Sequence, residues 1–468
     1  MVCFRGYPFQ PHFITTKDGY ILALHRIPYS RAEHQAAGGH RAPRGSLRTP
    51  ARPVVLIWHG FLMCSEVWVC TPDPTCSLAF TLADAGYDVW LGNTRGNKYS
   101  CKHRKFKPSD YEFWDFSMDQ LALFDMPDSV DYILSVTGAP SLTYIGFSQG
   151  TAQGFSGLSL SQSLNKKVNL FIALAPATKP KGLENRVINS LVHASPEVIY
   201  LLFGHKAMLS SALFWQSILS PATFAWILDL AMWFLFGWTS EFMDYKNIVY
   251  RHLYSYSSVK IVVHWFQIMK TGNFQMYDDN PPVLPTAADS HYGHHIPRYP
   301  TTGIQTPVAI FYGGRDTLPD MDYILGQCSQ IISLLKIDEY EHLQFLWGRG
   351  TDQVLFPGIL GLLAEHSEVW TDAHTNGSND DVSPTEQLVR TTDWITQDQI
   401  SRYIYLGKYQ TRDKRTGEVT SYGSSISVKA ALEEAQKLEE ANYSRKRTSS
   451  PAVNKTMWAD ALPLDDEN

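Results

Sequence analysis

Continuous apolar runs, separated by stretches of helical spacing, set the first expectation for this chain. Residues 54–58, Val-Val-Leu-Ile-Trp, are apolar throughout. Such runs suit central parallel strands, which are buried on both faces. Residues 170–176 and 308–314 are similar, residues 87–91 and 142–145 are mostly apolar apart from Asp88 and Thr143, and residues 119–134 carry apolar positions at helical spacing. Near the N-terminus, two β-rich runs within residues 13–27 flank Lys17-Asp18-Gly19, the mark of a hairpin turn. Strand runs alternating with helical stretches predict a mostly parallel sheet covered on both faces.

The alternation stops between Pro176 and about Thr302, where the sequence reads as largely helical and rich in Trp, Phe, Leu and Met. Residues 213–238 are the most apolar part of the chain. That run is long enough to raise the question of a membrane span. Pro221 and Asp229 interrupt it, however, and it lies between two halves of one sheet. A buried helix of an inserted cap is the expectation, with a lipid-meeting surface as the alternative. Residues 31–51, rich in Gly, Pro, Arg and Ala, are expected to be a mobile surface insertion. From about Ser367 the chain turns polar, with helical spacing at 426–441 and a basic, phosphorylatable stretch from Arg445 to Pro451. The expected division is a core of residues 1–176 and 303–366, a helical cap of residues 177–302, and a mostly disordered tail of residues 367–468.

Bulk composition narrows the class. The 468 residues suffice for a large core with an inserted subdomain. A charged share of 18% is low and an aromatic share of 13% is high, which points to more apolar surface than usual. The net charge of −6 offers no basic excess for nucleic acid. None of the six cysteines forms a Cys-x-x-Cys pair, so zinc is not expected and free thiols are. No cleavable signal peptide is visible at the start, and an anchor upstream of Met1 is left open.

Chemistry concentrates at Gly146-Phe147-Ser148-Gln149-Gly150, between an apolar run and the small residues Thr151, Ala152 and Gly154. Gly-x-Ser-x-Gly between strand and helix is the nucleophile elbow of α/β-hydrolases. Its glycines lack the Cβ that would clash where strand and helix crowd together. A serine hydroxyl needs an imidazole to take its proton and a carboxylate to orient that imidazole. In this fold the partners follow in the order serine, acid, histidine. Asp316 falls just past the carboxyl end of an apolar strand, the edge where open α/β sheets place their chemistry. Asp320 and Asp322 are nearby alternatives, better read as charges at a helix N-terminus. His342, where a short strand gives way to a loop, is the candidate base, whereas His291, His294 and His295 read as solvated loop residues. The oxyanion is expected to meet the backbone N–H groups of Phe61 and Gln149, with His59 propping the loop that carries Phe61. Arg95, Asn97 and Asp115 are read as ties between loops.

Taken together these strings resemble a known family, the acid lipases, which include gastric and lysosomal lipases and fungal steryl ester hydrolases. The likeness runs from about Gly6 to His366. It includes the segments at 16–22, 59–61, 92–97 with Ser100 and His103, 113–117, the elbow, and Gly313-Gly314-Arg315-Asp316. The resemblance implies an α/β-hydrolase fold and hydrolysis of carboxylic esters of water-insoluble lipids, with no metal or organic cofactor. It implies a nucleophile, acid and base at Ser148, Asp316 and His342, and oxyanion donors at Phe61 and Gln149. Residues 274–282 and 299–302 and the hydrophilic tail are most similar to the fungal intracellular branch. That branch implies steryl ester or acylglycerol substrates, a lipid droplet or membrane surface as partner, and an intracellular location. Two departures stand out: the N-terminal anchor typical of that branch is not seen, and Phe147 stands where secreted members carry histidine.

Two other readings compete. An acyltransferase or peptidase could use the same three side chains, although an apolar cap suits peptides poorly. A catalytically silent lipid-binding protein is the other, opposed by the intact set of Ser148, Asp316 and His342.

Overall fold

A computed structural model describes residues 1–38, 52–181, 186–209, 211–279, 296–371, 410–412 and 419–422. Among these residues, nine strands make one sheet: β1 (Gln10–Thr15), β2 (Tyr20–Ile27), β3 (Val54–Trp58), β4 (Asp88–Leu91), β5 (Lys102–His103), β6 (Leu142–Phe147), β7 (Val168–Leu174), β8 (Val308–Gly313) and β9 (Ile331–Ile337). The order is β1-β2-β4-β3-β6-β7-β8-β9, with β5 against β2. β1 and β2 form the hairpin, and β2 meets β4 antiparallel; every pairing from β4 through β9 is parallel. All five residues of β3 and all six of β6 are buried. Their backbone groups pair with strands on either side and their side chains are hidden on both faces, which is what an unbroken apolar run requires. Helices complete the core: Leu78–Asp84 packs on β4, Met126–Thr137 on β1, Gln149–Leu160 on β6 and Phe356–Thr371 on β7.

Three expectations about the remaining segments change. Residues 31–36 form a helix rather than a mobile insertion. Ser30 accepts from the Glu33 amide and the Glu33 carboxylate accepts from Ser30, a capping box that Ser-x-x-Glu announces. Residues 39–51 lie outside the described residues. Between β7 and β8 the chain forms the helices Arg186–His193, Pro196–Phe203, Ala212–Ile218, Pro221–Phe236 and Val259–Thr271. Pro221–Phe236, N-capped by Ser220 and closed by Gly237 at φ 74°, buries only Phe224, Ala225 and Leu228. The expected buried helix is therefore mostly not buried, and no helix among the described residues is long and apolar enough to cross a membrane. Helix Phe356–Thr371 runs past the boundary expected at residue 366. Two short strands, β10 (Gln410–Arg412) and β11 (Val419–Tyr422), pair as a separate hairpin, and the rest of the expected disordered tail lies outside the described residues.

Candidate active site

Ser148 joins β6 to the helix Gln149–Leu160 at φ 53° and ψ −119°. A side chain there is uncommon and strained, so the surroundings must hold it. The Ser148 amide donates to the Leu174 carbonyl at 3.1 Å, and the Thr151 hydroxyl donates to the Ser148 carbonyl at 2.6 Å. Crowding explains the glycines. A Cβ at position 146 would stand 2.6 Å from the Gly150 oxygen, and one at position 150 would stand 2.6 Å from the Trp58 oxygen. Strand, turn and helix can thus approach only as glycine backbone at these two places.

His342 follows β9 on a loop, and its Nε2 lies 2.7 Å from the Ser148 Oγ. Its Nδ1 lies 2.7 Å from the Asp316 Oδ2. The Asp316 side chain is fully buried, and its other oxygen accepts the Leu318 amide at 3.1 Å. A carboxylate can only accept, so Nδ1 carries the proton toward Asp316 and Nε2 is left to accept the serine proton. The turn carrying Asp316 and the loop carrying His342 touch directly: a Cβ on Gly313 would fall 2.1 Å from the Tyr340 oxygen. Asp320, the alternative acid, instead caps the helix Met321–Gln327 by accepting the Tyr323 amide, and it pairs with Lys179. Asp322 lies in the first turn of that helix. His291, His294 and His295 lie outside the described residues.

The loop after β3 closes on the serine from the other side. A Cβ on Gly60 would stand 3.1 Å from the Ser148 Cβ, and Phe61 is the next residue of that loop. Gln149 is the first residue of the helix beyond Ser148, an end where backbone N–H groups lack intrahelical partners. His59 props the loop: its Nδ1 donates to the Gly60 oxygen at 2.8 Å. Its Nε2 accepts the Thr94 amide at 3.1 Å and the Asn97 side-chain amide at 3.2 Å. Burial pushes the His59 pKa down to about 4, so the ring is neutral and the donor and acceptor roles of its two nitrogens are set. Arg95 and Asp115 also tie loops. The buried Arg95 Nε donates to Asp125 at 2.7 Å, Arg95 also pairs with Asp18, and Lys260 pairs with Asp115 at 2.8 Å.

Several contacts at the site come from the helical insertion, and no motif announced them. The Trp238 ring stacks on the His342 imidazole at 5.2 Å and 11°, while Phe147, from the elbow itself, meets the same ring at 5.1 Å. The Glu341 carboxylate accepts the amides of Thr239 and Ser240 at 2.8 and 2.9 Å. The Thr317 hydroxyl, beside the acid, donates to the Phe236 oxygen at 3.1 Å. The Trp265 indole donates to the Gln149 side-chain oxygen at 3.0 Å. The Ser255 amide donates to the Leu62 oxygen at 2.7 Å. Ser148 is consequently buried. A cavity of about 500 Å³, lined by Tyr7, Thr81, Asp84, Phe356 and Pro357 among others, involves none of these residues.

Comparison with known proteins gives the family of this fold. Residues 53–349 match the family described as alpha/beta hydrolase fold, and residues 1–72 match the partial alpha/beta-hydrolase lipase region. A probable lipase of Schizosaccharomyces pombe is 44% identical over 364 residues, covering 77% of this chain and 78% of that protein. Human gastric triacylglycerol lipase is 34% identical over 375 residues, covering 78% of this chain and 90% of that protein. A crystal structure from Sulfolobus solfataricus shares the fold with a TM-score of 0.50 at 14% identity, covering 75% of this chain and 93% of that one. A strained serine turn inside a mostly parallel sheet, joined to relatives named as lipases along most of their length, places the chain: it belongs to the lipase group of the α/β-hydrolase family and is a serine ester hydrolase.

Proposed function

We propose that the protein hydrolyses esters of water-insoluble lipids, steryl esters and triacylglycerols, with Ser148 as nucleophile, His342 as base and Asp316 as orienting acid. The observation that carries this reading is the pair of 2.7 Å contacts joining Ser148 to His342 and His342 to Asp316. The Ser148 Oγ attacks the ester carbonyl while the His342 Nε2 takes its proton. The backbone N–H groups of Phe61 and Gln149 hold the resulting oxyanion, and Asp316 stabilises the imidazolium through Nδ1. His342 then protonates the departing sterol or glycerol alkoxide, leaving an acyl-enzyme. Water, deprotonated by the same imidazole, frees the fatty acid and restores Ser148.

A lipid interface as the place of action is supported by the helix Pro221–Phe236. Trp226, Leu230, Trp233 and Phe234 are all exposed, with Trp226 at 64% and Trp233 at 59%. Positions 226, 230 and 233 share one helix face. An exposed patch of this kind suits a lipid droplet or membrane surface. In this reading residues 177–302 act as a cap on a core of residues 1–176 and 303–366. Hydrolysis of matched emulsions of steryl oleate and trioleoylglycerol, with Ser148→Ala as control, tests the proposal and ranks the substrates. Release of oleate from both emulsions by the wild type, and from neither by the variant, is the expected result. Equal release by both proteins would end it.

A further inference from the structure

We infer that Trp238 is a positioning residue for the base: its indole face holds the His342 imidazole in line with Ser148, and the segment 236–240 holds Trp238. The inference rests on the proposed roles of Ser148 and His342 and adds a residue from the insertion. The two rings are nearly parallel at 11°, with centroids 5.2 Å apart, an offset-stacked geometry. Trp238 is itself stacked on Phe236 at 4.3 Å and 19°, so its orientation is set from behind.

The backbone on both sides of Trp238 is bolted to the catalytic loops. Upstream, the Phe236 oxygen accepts from Thr317, next to Asp316. Downstream, Thr239 and Ser240 donate three hydrogen bonds to Glu341, next to His342. Bonds to a carboxylate are among the stronger and shorter ones. The Tyr250 hydroxyl donates to Asp229 at 2.9 Å and its oxygen, 3.2 Å from the Ser240 hydroxyl, is placed to accept from it. One short strap therefore spans the residues beside both the acid and the base.

Trp238 holds by its aromatic face rather than by its polar atom. Its Nε1 is buried and has no hydrogen-bond partner among the described residues. A flat ring at this position is what the imidazole requires, which predicts that phenylalanine substitutes and an aliphatic side chain does not.

The test uses Trp238→Phe and Trp238→Leu in the full chain, assayed on a soluble p-nitrophenyl butyrate substrate and by the rate of fluorophosphonate labelling. Trp238→Leu is expected to lower kcat by roughly 10- to 100-fold with KM within about threefold, because a misplaced base costs turnover rather than binding. Trp238→Phe is expected to stay within about threefold of the wild type, since it keeps the ring. Labelling should slow in parallel in the Leu variant. Should Trp238→Leu lack a cooperative thermal transition, Trp238→Met fills the volume flexibly and carries the same expectation. Wild-type kcat in the aliphatic variant, or equal losses in Phe and Leu, overturns the inference. A wild type that the probe does not label, or a Ser148→Ala variant that it does label, instead overturns the triad reading itself.

Discussion

β3 and the helix Pro221–Phe236 are both almost wholly apolar, yet every residue of the strand is buried and only three of the helix are. Backbone accounting explains the contrast. β3 satisfies its N–H and C=O groups through β4 and β6, so it exists only inside the sheet. The helix satisfies its own backbone and can lie at the surface with its side chains outward. Leaving Trp226, Leu230 and Trp233 in water forgoes about 25 cal/mol for each Å² left exposed, a cost that a lipid surface would remove. Apolar composition therefore goes with two different placements here, one run buried inside the sheet and one largely left at the surface.

The largest effect of substitution is expected in the core. Ser148→Ala should lower ester hydrolysis by about 10⁴-fold or more while leaving the thermal transition in place; activity within tenfold of wild type would remove the core from the chemistry. Next comes Arg95→Ala, which strands Asp125 without its buried partner. A loss of about 3–5 kcal/mol in urea unfolding is expected, and a loss under about 1 kcal/mol would show the loop tie to be dispensable.

Acid should act on the core through His59. Its folded pKa of about 4 lies below the unfolded value near 6.5, because burial disfavours the charged ring. The unfolded chain takes the proton first. Stability from this group is therefore fully present above about pH 6.5 and is lost as pH falls toward 4, by roughly 3 kcal/mol. His25, also lowered to about 4 by burial, acts in the same sense. Melting curves from pH 7 to pH 4.5 should show this fall, with a shallower slope in His59→Gln; identical slopes would assign the effect elsewhere.

The insertion should behave in the opposite way. Trp226→Ser combined with Trp233→Ser is expected to cut emulsion hydrolysis about tenfold, with soluble-ester turnover and melting unchanged. Parallel loss on both substrates would make this helix scaffold after all. Smallest of all, Lys260→Ala removes exposed pairs to Asp115 and Asp279 and should shift stability by less than about 1 kcal/mol.

Much of the core was legible because its signals are local. β3 and β8 are unbroken apolar runs, β6 is nearly so, and the elbow carries glycines where a Cβ would strike backbone at 2.6 Å. The candidates Ser148, Asp316 and His342 followed from chain order and strand ends, and the structure brings the three side chains within hydrogen-bond distance. The short helix at 31–36 was missed although Ser30 and Glu33 announce it, because Gly- and Pro-rich sequence nearby dominated the reading. Trp238, Glu341 and Trp265 were missed for a different reason. Each acts across a gap of about a hundred residues, as Glu341 does on Thr239, and no spacing rule reaches that far.

Local sequence was enough for most strands of the main sheet, the strained serine turn and the order of the three candidate catalytic residues, because steric exclusion and side-chain period act between near neighbours; it did not announce β5 or the β10–β11 hairpin. Only the tertiary structure decided that the apolar helix faces outward, that Trp238 lies on His342, and that Glu341 ties the base loop to the insertion. Those outcomes depend on which surfaces compete for burial once the sheet has closed. That competition is settled by the whole folded chain, and no short stretch of residues encodes it.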